Sequence, residues 1–230
     1  MKKNSELTYK EMYQQPASFQ AVNDTLDDIF KTLDKVFFGE KKYDELIFTG
    51  CGTSLYLAQA SAAAFSTYTG IPAKGVPCSE LYYFPETYVK EGRNVLILPI
   101  TRKSYTTEVR MAIDKVHTYP QVTTLAITCD KDSEKYNDYY ILSPDTDEDS
   151  VIMTRSFTSM LYMAVIMAMY VGGKKDEIAA MKDYAPYSEK VLKEMDELSK
   201  KIMNEHKNLN LFIILGQGIY YGVANECMNK

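Results

Sequence analysis

The segment DELIFTGCGTSLYLAQASAAAFSTY, residues 44–68, joins a short apolar run to an alanine-rich run through two closely spaced glycines. Residues 44–49 are rich in side chains that favour strands, and residues 55–68 are typical of a helix. Glycines between the two runs suit the tight turn that such a connection needs. The segment therefore predicts a strand, a glycine turn and a helix.

The same alternation continues along the chain. Residues 95–100 (VLILPI) and 123–128 (TTLAIT) predict buried strands, and 139–142 (YYIL) predicts a shorter one. A helix is expected at residues 108–117 between the first two, and a long apolar helix is expected from near Ser156. Because alternating strands and helices form right-handed crossovers, we predict an α/β fold with a doubly wound parallel sheet and helices on both faces.

The remaining segments complete the predicted domain organisation. Pro16 interrupts the first segment at a place that suits the first turn of a helix, so two N-terminal helices are expected there. Near the other end, residues 209–215 (LNLFIIL) predict a fresh strand. The expected units are N-terminal helices at 1–40, a first α/β domain at 41–173, a helical connector interrupted at Pro186 at 174–207, and the start of a second, truncated unit at 208–230.

The last unit resembles the beginning of the first. Laying Gly50-Cys51-Gly52 over Gly216-Gln217-Gly218 also aligns Ala58 with Ala224, although so short a match also arises by chance. One strand and one helix cannot bury both faces of the strand. The unit is therefore expected to dock on the first domain, to pair with another chain, or to continue into a longer protein, and the open edge predicts a homodimer.

Composition limits the classes of function. The chain has 230 residues, 46% of them hydrophobic and 25% charged, which is typical of a globular protein. A net charge of −5 argues against a nucleic-acid partner. The longest apolar run, residues 160–172, is shorter than the ~20 residues of a membrane-spanning helix, and the N-terminus has no secretory signal. We expect no membrane association and a cytoplasmic location.

Cysteine spacing indicates neither zinc nor another metal. Cys51, Cys78, Cys129 and Cys227 are scattered without a C-x-x-C pair, and the sequence has only two histidines. In a reducing compartment, each cysteine is expected to be a small buried residue. No metal and no cofactor are predicted.

Two polar loops follow predicted strands and are candidates for binding an anion. In GCGTS, Gly50 and Gly52 give a ligand access to the backbone, and Thr53 and Ser54 stand at a helix start, where they could equally serve as helix caps. In TRKSYTTE, residues 101–108, hydroxyls accompany two cationic side chains, although a capping box would also explain the pattern. Because ligands collect at the carboxyl ends of parallel strands, two such loops together favour binding.

A third loop, residues 148–158 (EDSVIMTRSFT), again opens a helix. Asp145, Asp147, Glu148 and Asp149 form an acidic cluster there. Solvated surface and complement to the helix dipole are both open explanations for the cluster. The spacing does not match an EF-hand calcium loop, and a glycosidase carboxylate pair is not indicated.

These motifs resemble the SIS (sugar isomerase) superfamily. Within it, the chain is similar to double-domain phosphosugar isomerases of the AgaS type and to the isomerase half of glucosamine-6-phosphate synthase. The matching segments are EMYQQP (11–16), GCGTS (50–54), TRKSYTTE (101–108), SVIMTRSFT (150–158) and LGQGIYYGVANECMNK (215–230). The resemblance implies the SIS fold, no metal, and a hexose or aminohexose phosphate as ligand.

The resemblance also implies roles for individual residues. Ser54, Thr101 and Thr106 would hold the phosphate, Gly52 and Thr53 would shape its cradle, and Val151 would line the sugar. The family loop reads S-x-S-G-x-T, whereas this chain has Lys103 in place of a serine and Ser104 in place of the glycine, with Arg102 between Thr101 and Lys103. Lys103 would bind phosphate as a point charge.

Catalytic residues are only partly matched by the family motif A-x-E-x-x-x-K-x-x-E. Ala224, Glu226 and Lys230 fit its first three positions, so Glu226 and Lys230 are the catalytic candidates. The next glutamate, which resembles the family base, and a later histidine would fall beyond Lys230. The resemblance therefore implies a phosphosugar isomerase or aminosugar-phosphate deaminase of which this chain is a catalytically incomplete part, and the alternative is a non-catalytic module that senses a sugar phosphate.

Overall fold

The structure is a computed structural model that describes residues 2–104 and 106–229. Its strands are β1 (Glu45–Gly50), β2 (Ala73–Pro77), β3 (Val95–Thr101), β4 (Val122–Thr128) and β5 (Tyr139–Leu142). Its helices are α1 (Lys2–Met12), α2 (Gln15–Asp24), α3 (Leu26–Phe37), α4 (Thr53–Thr69), α5 (Cys78–Tyr83), α6 (Pro85–Tyr88), α7 (Thr107–Val116), α8 (Arg155–Val171), α9 (Lys175–Glu205) and α10 (Ile219–Asn229), and a 3₁₀ helix spans Lys131–Lys135.

All five strands are parallel and follow the order β2-β1-β3-β4-β5. Alternate residues of β1 face opposite layers: Leu46 and Phe48 pack with α3, α4 and α8, whereas Ile47 packs with α5 and α7. Burial on both faces explains why the centres of β1 and β3 are continuous apolar runs. The predicted doubly wound α/β sheet is confirmed, and the order of connection reverses between β1 and β3.

The sequence analysis missed the edge strand β2. Its sequence AKGVP contains one buried apolar residue, Val76, so it carries neither an apolar run nor an alternating pattern. A Cβ atom at Gly75 would lie 2.6 Å from the backbone nitrogen of Gln59 in α4. The glycine thus lets the helix pack directly on this strand, which is a constraint that strand propensity does not express.

The N-terminal segment forms three helices rather than the two that were expected. Pro16 lies in the first turn of α2, as predicted. The extra boundary is at Thr25, whose hydroxyl donates to the carbonyls of Ala21 and Val22 at 3.3 and 3.0 Å. Such local side-chain bonds compete with the helical ladder and favour an end to the helix.

The predicted interruption at Pro186 is wrong, because α9 runs through it. Proline has no N–H for the carbonyl four residues earlier, which belongs to Lys182. The side-chain amide of Asn23 donates to that carbonyl at 3.2 Å, and the Tyr162 hydroxyl donates to the Asn23 oxygen at 2.8 Å. A neighbouring helix therefore satisfies the acceptor that the proline leaves open.

The strand predicted at residues 209–215 is also wrong. The segment pairs with no strand in the described part of the chain, and Leu211, Ile213 and Leu215 are 73%, 78% and 87% exposed. The helix after it, α10, instead docks on α4. A Cβ atom at Gly222 would lie 2.2 Å from the carbonyl oxygen of Tyr56, so the two helices meet at their backbones.

The two glycine turns have the same local geometry. Gly52 and Gly218 both have φ of +56°. The Ser54 amide donates to the Cys51 carbonyl at 3.1 Å, and the Tyr220 amide donates to the Gln217 carbonyl at 3.0 Å. A left-handed glycine followed by the start of a helix thus recurs at both places, as the sequence alignment of the two segments suggested.

Replacement of Gly222 by alanine tests the docking of α10. Glycine to alanine inside a helix ordinarily stabilises by about 0.5–1 kcal/mol. Here the added methyl group must displace α4 backbone, so we expect the free energy of unfolding to fall by about 1–3 kcal/mol. Amide exchange in α10 should accelerate. Met228→Ala, at an exposed position of the same helix, is the control, and unchanged exchange in Gly222→Ala would contradict the close packing.

Candidate functional site

A pocket of about 310 Å³ lies where β1 and β3 end. The reversal of strand order at this point leaves a crevice at the carboxyl edge of the sheet, which is where open parallel sheets bind ligands. Both polar loops contribute to it. Its lining residues are Cys51, Thr53, Ser54, Thr101, Arg102, Lys103, Thr106, Val109, Val151 and Met153.

The GCGTS turn brings the N-terminus of α4 to this pocket. A Cβ atom at Gly50 would lie 2.5 Å from the carbonyl carbon of Ser54, so the chain passes closely over itself. Gly52 follows with φ of +56°, and α4 begins at Thr53. Thr53 and Ser54 therefore line the pocket from the positive end of the helix dipole, an arrangement that favours an anion.

The loop after β3 adds two hydroxyl groups. The Thr101 hydroxyl donates to the Lys103 carbonyl at 2.7 Å, and the Thr106 hydroxyl donates to the same carbonyl at 3.1 Å. Both side chains line the pocket. Because a hydroxyl can rotate to a new acceptor, both groups are available to an anionic ligand.

Ser104 and Gly52 are the two predicted binding residues that do not line the pocket. Ser104 is 5% exposed; its amide donates to Asp130 at 2.9 Å, and its hydroxyl lies 2.8 Å from that of Ser133. These hydrogen bonds hold the loop after β3 on the side away from the pocket. Gly52 determines the shape of the neighbouring GCGTS turn. Val151, in contrast, stands at the rim of the pocket and is 91% exposed.

The cationic side chains of the loop face part of the acidic cluster. Lys103 forms a close ion pair with Asp147. The Arg102 guanidinium donates to the Ser150 carbonyl at 3.0 Å and lies 4.0 Å from both Asp147 and Glu148. The cations are thus balanced by nearby carboxylates, and Asp147, which is 40% exposed at its side chain, is the more accessible partner.

Glu148 complements the dipole of α8, which was one of the two explanations offered for the acidic cluster. It is 6% exposed, and its carboxylate accepts from the amides of Thr154, Arg155 and Ser156 at 2.7, 2.9 and 3.3 Å. The hydroxyls of Thr154 and Ser156 also donate to it. Solvated surface therefore describes the exposed Asp145 and Asp149 but not this buried group.

A second buried carboxylate, Glu11, holds the same loop from α1. It is 3% exposed and accepts from the amides of Asp149 and Ser150 at 2.8 and 3.3 Å. Glu11 opens the EMYQQP segment, and nothing in that segment alone indicates this role. Its position places the N-terminal helix in direct contact with the loop that carries Val151.

The catalytic candidates are Glu226 and Lys230, and Glu226 is not among the described residues that line the pocket. Glu226 is 5% exposed in α10 and accepts from the Thr53 hydroxyl at 3.1 Å, so it contacts the glycine turn without lining the pocket. Lys230 lies outside the described residues.

Across residues 2–104 and 106–229, no three His, Cys, Asp or Glu side chains are placed to hold a metal ion. Across the same residues, no helix is both long and apolar enough for a membrane span.

Residues 41–170 match the sequence model of the SIS domain. The chain belongs to the SIS domain family. It is 23% identical over 234 residues to the D-galactosamine-6-phosphate deaminase AgaS of Escherichia coli O157:H7, covering 97% of this chain and 60% of that protein. It is 22% identical over 223 residues to the isomerizing glutamine–fructose-6-phosphate aminotransferase of Aquifex aeolicus, covering 94% of this chain and 36% of that protein.

Solved structures agree on the SIS fold. The tagatose-6-phosphate ketose/aldose isomerase of Escherichia coli superposes with a TM-score of 0.77 at 20% identity, covering 96% of this chain and 61% of that one. The glucosamine-6-phosphate deaminase of Thermotoga maritima gives 0.74 at 24% identity, covering 96% and 65%. The chain thus spans less than two thirds of the length of each of these SIS proteins.

Removal of the Glu148 carboxylate tests its structural role. In Glu148→Ala, the buried donors at the start of α8 lose their acceptor, so we expect the free energy of unfolding to fall by about 3 kcal/mol. Asp149→Ala removes the same charge from an exposed neighbour and should change stability by less than about 0.5 kcal/mol. Denaturant unfolding measures both, and equal losses would refute the assignment.

Proposed function

We propose that this SIS chain binds a hexose or aminohexose phosphate and forms part of a phosphosugar isomerase or aminosugar-phosphate deaminase. The observation that carries the proposal is that two hydroxyl-bearing loops line one pocket, at the ends of β1 and β3, where the order of connection reverses. The two relatives described above, a galactosamine-6-phosphate deaminase and a fructose-6-phosphate aminotransferase, support the same class of ligand.

The phosphate is proposed to lie at the N-terminus of α4. Ser54, Thr101 and Thr106 supply hydroxyl donors, and the last two reach it by turning away from the Lys103 carbonyl. Charged acceptors make stronger hydrogen bonds than a carbonyl does, so the exchange favours the ligand. The sugar then extends toward Val151 at the rim, while Gly52 and Thr53 fix the shape of the turn.

Lys103 and Arg102 are proposed to neutralise the phosphate. Lys103 is paired with Asp147, so binding exchanges one anionic partner for another. Asp147 is partly exposed and remains hydrated when Lys103 leaves it, which keeps the cost of this exchange low. Lys103 thus takes over the role of the serine that stands at this position in the family loop.

Proton transfer between C1 and C2 of a sugar needs a base close to both carbons. No Asp, Glu or His is among the described residues that line the pocket. Glu226 and Lys230 remain our candidates because α10 contacts the glycine turn through Thr53. The same lack of a lining carboxylate favours the second candidate function, a module that senses a sugar phosphate; an isomerase or ammonia-release assay on this chain separates the two.

Isothermal titration with hexose and aminohexose 6-phosphates tests the binding proposal. Thr106→Ala removes one hydrogen bond to a charged group and should raise the Kd about tenfold. Thr107→Ala is the matched control, because this neighbouring threonine is exposed and does not line the pocket. Failure of every such sugar phosphate to bind the wild-type chain would refute the proposal. An equal rise in Kd in both variants would show that the phosphate does not contact the Thr106 hydroxyl.

We also propose a cytoplasmic homodimer. Free thiols at all four cysteines suit a reducing compartment. The exposed apolar side chains of residues 209–215 offer a surface that a second copy could cover. Light scattering should give the mass of two chains, and a monomeric mass across the accessible concentration range would contradict this prediction.

A further inference from the structure

Two cysteines lie side by side at the edge of the pocket. Gly50 of β1 pairs with Pro77 of β2 in the last step of their parallel ladder, and Cys51 and Cys78 are the residues that directly follow the two strands. Neighbouring strands lie about 4.8 Å apart, and a disulfide needs Cα atoms about 4.4–6.8 Å apart. The backbone thus brings these cysteines within bridging range, although 26 residues lie between them in sequence.

The two thiols have different surroundings. Cys51 is partly buried and lines the pocket. Cys78 is completely buried, and its sulfur accepts from the Thr49 hydroxyl at 3.4 Å. Both pack in the apolar layer that contains Ile47 and Val76. A molecule in the pocket therefore reaches the sulfur of Cys51 first, with that of Cys78 behind it.

Their pKa values are shifted in opposite directions. A hydrogen bond from the Cys78 thiol lowers the pKa of Cys51, and the same bond, together with burial, raises the pKa of Cys78. Thiolate character and exposure determine which cysteine reacts with an oxidant. Cys51 thus has the properties of an attacking thiol, and Cys78 has those of a resolving thiol.

The other two cysteines lack this arrangement. Burial raises the pKa of Cys129 to about 12, and its sulfur lies 3.1 Å from the Thr146 hydroxyl. Cys227 is exposed on α10. Neither Cys129 nor Cys227 has a second cysteine at the end of a neighbouring strand. Both therefore serve as internal controls within the same protein.

We propose that Cys51 and Cys78 form a redox site that hydrogen peroxide converts to a disulfide, and that this bond reshapes the glycine turn and weakens phosphate binding. The first part stands independently of the ligand, and the second part rests on the proposed function. The geometric reason is that Cys51 lies between Gly50 and Gly52 in the turn that presents Ser54. A covalent tie to β2 changes the path of that turn.

The reaction balances without any further reactant. The Cys51 thiolate attacks one peroxide oxygen, the O–O bond breaks, and a sulfenic acid and hydroxide form. The Cys78 sulfur then attacks the Cys51 sulfur, and water leaves with the proton from Cys78. Two thiols are oxidised by two electrons, and the peroxide is reduced to water. A dithiol reductant reverses the step by thiol–disulfide exchange.

Peptide mapping under non-reducing conditions tests the bond. The full chain is treated with hydrogen peroxide at a small molar excess, alkylated and digested. We expect a peptide that links Cys51 to Cys78 and disappears on reduction, while Cys129 and Cys227 stay alkylated as thiols or carry separate oxidation. Cys227→Ser should leave the link unchanged, and Cys78→Ser should abolish it. Oxidation of Cys51 beyond sulfenic acid without a link would overturn the proposal.

Titration with the sugar phosphate that binds the reduced chain tests the consequence. We expect the oxidised wild type to bind at least about tenfold more weakly, with recovery on reduction. Cys78→Ser treated with peroxide and then with a dithiol should keep the affinity of the reduced protein. Equal affinity of the oxidised and reduced wild type would overturn the regulatory part. If no sugar phosphate binds the reduced chain, the proposed function fails, whereas the mapping result still decides the redox site.

Discussion

The close passage of the chain over itself at Gly50 is the constraint on which the site depends. Only hydrogen fits there, because a Cβ atom would lie 2.5 Å from the Ser54 carbonyl carbon. The contact lets a fully buried strand enter a helix after only Cys51 and Gly52, the latter in the left-handed region. A longer connection would carry the helix N-terminus away from the end of β3. Strand order supplies the crevice, but this turn brings donors into it.

Carboxylates lie close to the candidate anion site, although their negative charge would by itself repel an anion. Glu11 and Glu148 both accept hydrogen bonds from backbone amides of the adjacent loop, so each of these buried carboxylates has a structural role. Arg102 and Lys103 face Asp147, which lies closer to solvent. The local charges are therefore nearly balanced before a ligand arrives. In the proposed function, an incoming phosphate would compete with a hydrated carboxylate, and selectivity would come from hydroxyl geometry as much as from net charge.

Local sequence patterns located most of the sheet and the pocket. The strands at 95–101 and 122–128 contain the apolar residues from which they were predicted, and Ser54 and Thr101, which follow neighbouring strands, line the same pocket. What failed depended on partners distant in sequence. Ser104 is buried because it forms hydrogen bonds with Asp130 and Ser133. Helix α9 continues through Pro186 because Asn23 of α2 donates to the carbonyl that the proline leaves without a partner. Residues 209–215 have strand propensity, but a strand also requires a neighbour.

The backbone contact between α4 and α10 has a consequence for how relatives of this chain diverge. A Cβ atom at Gly222 would lie 2.9 Å from the Cβ of Ala60, so neither position has room for a larger side chain while the other is occupied. Positions 60 and 222 are thus expected to be coupled during evolution, although 161 residues lie between them. Because α4 also presents Ser54, we expect sequence change in α10 to be limited by the geometry of the GCGTS turn, so that α4 and α10 change together.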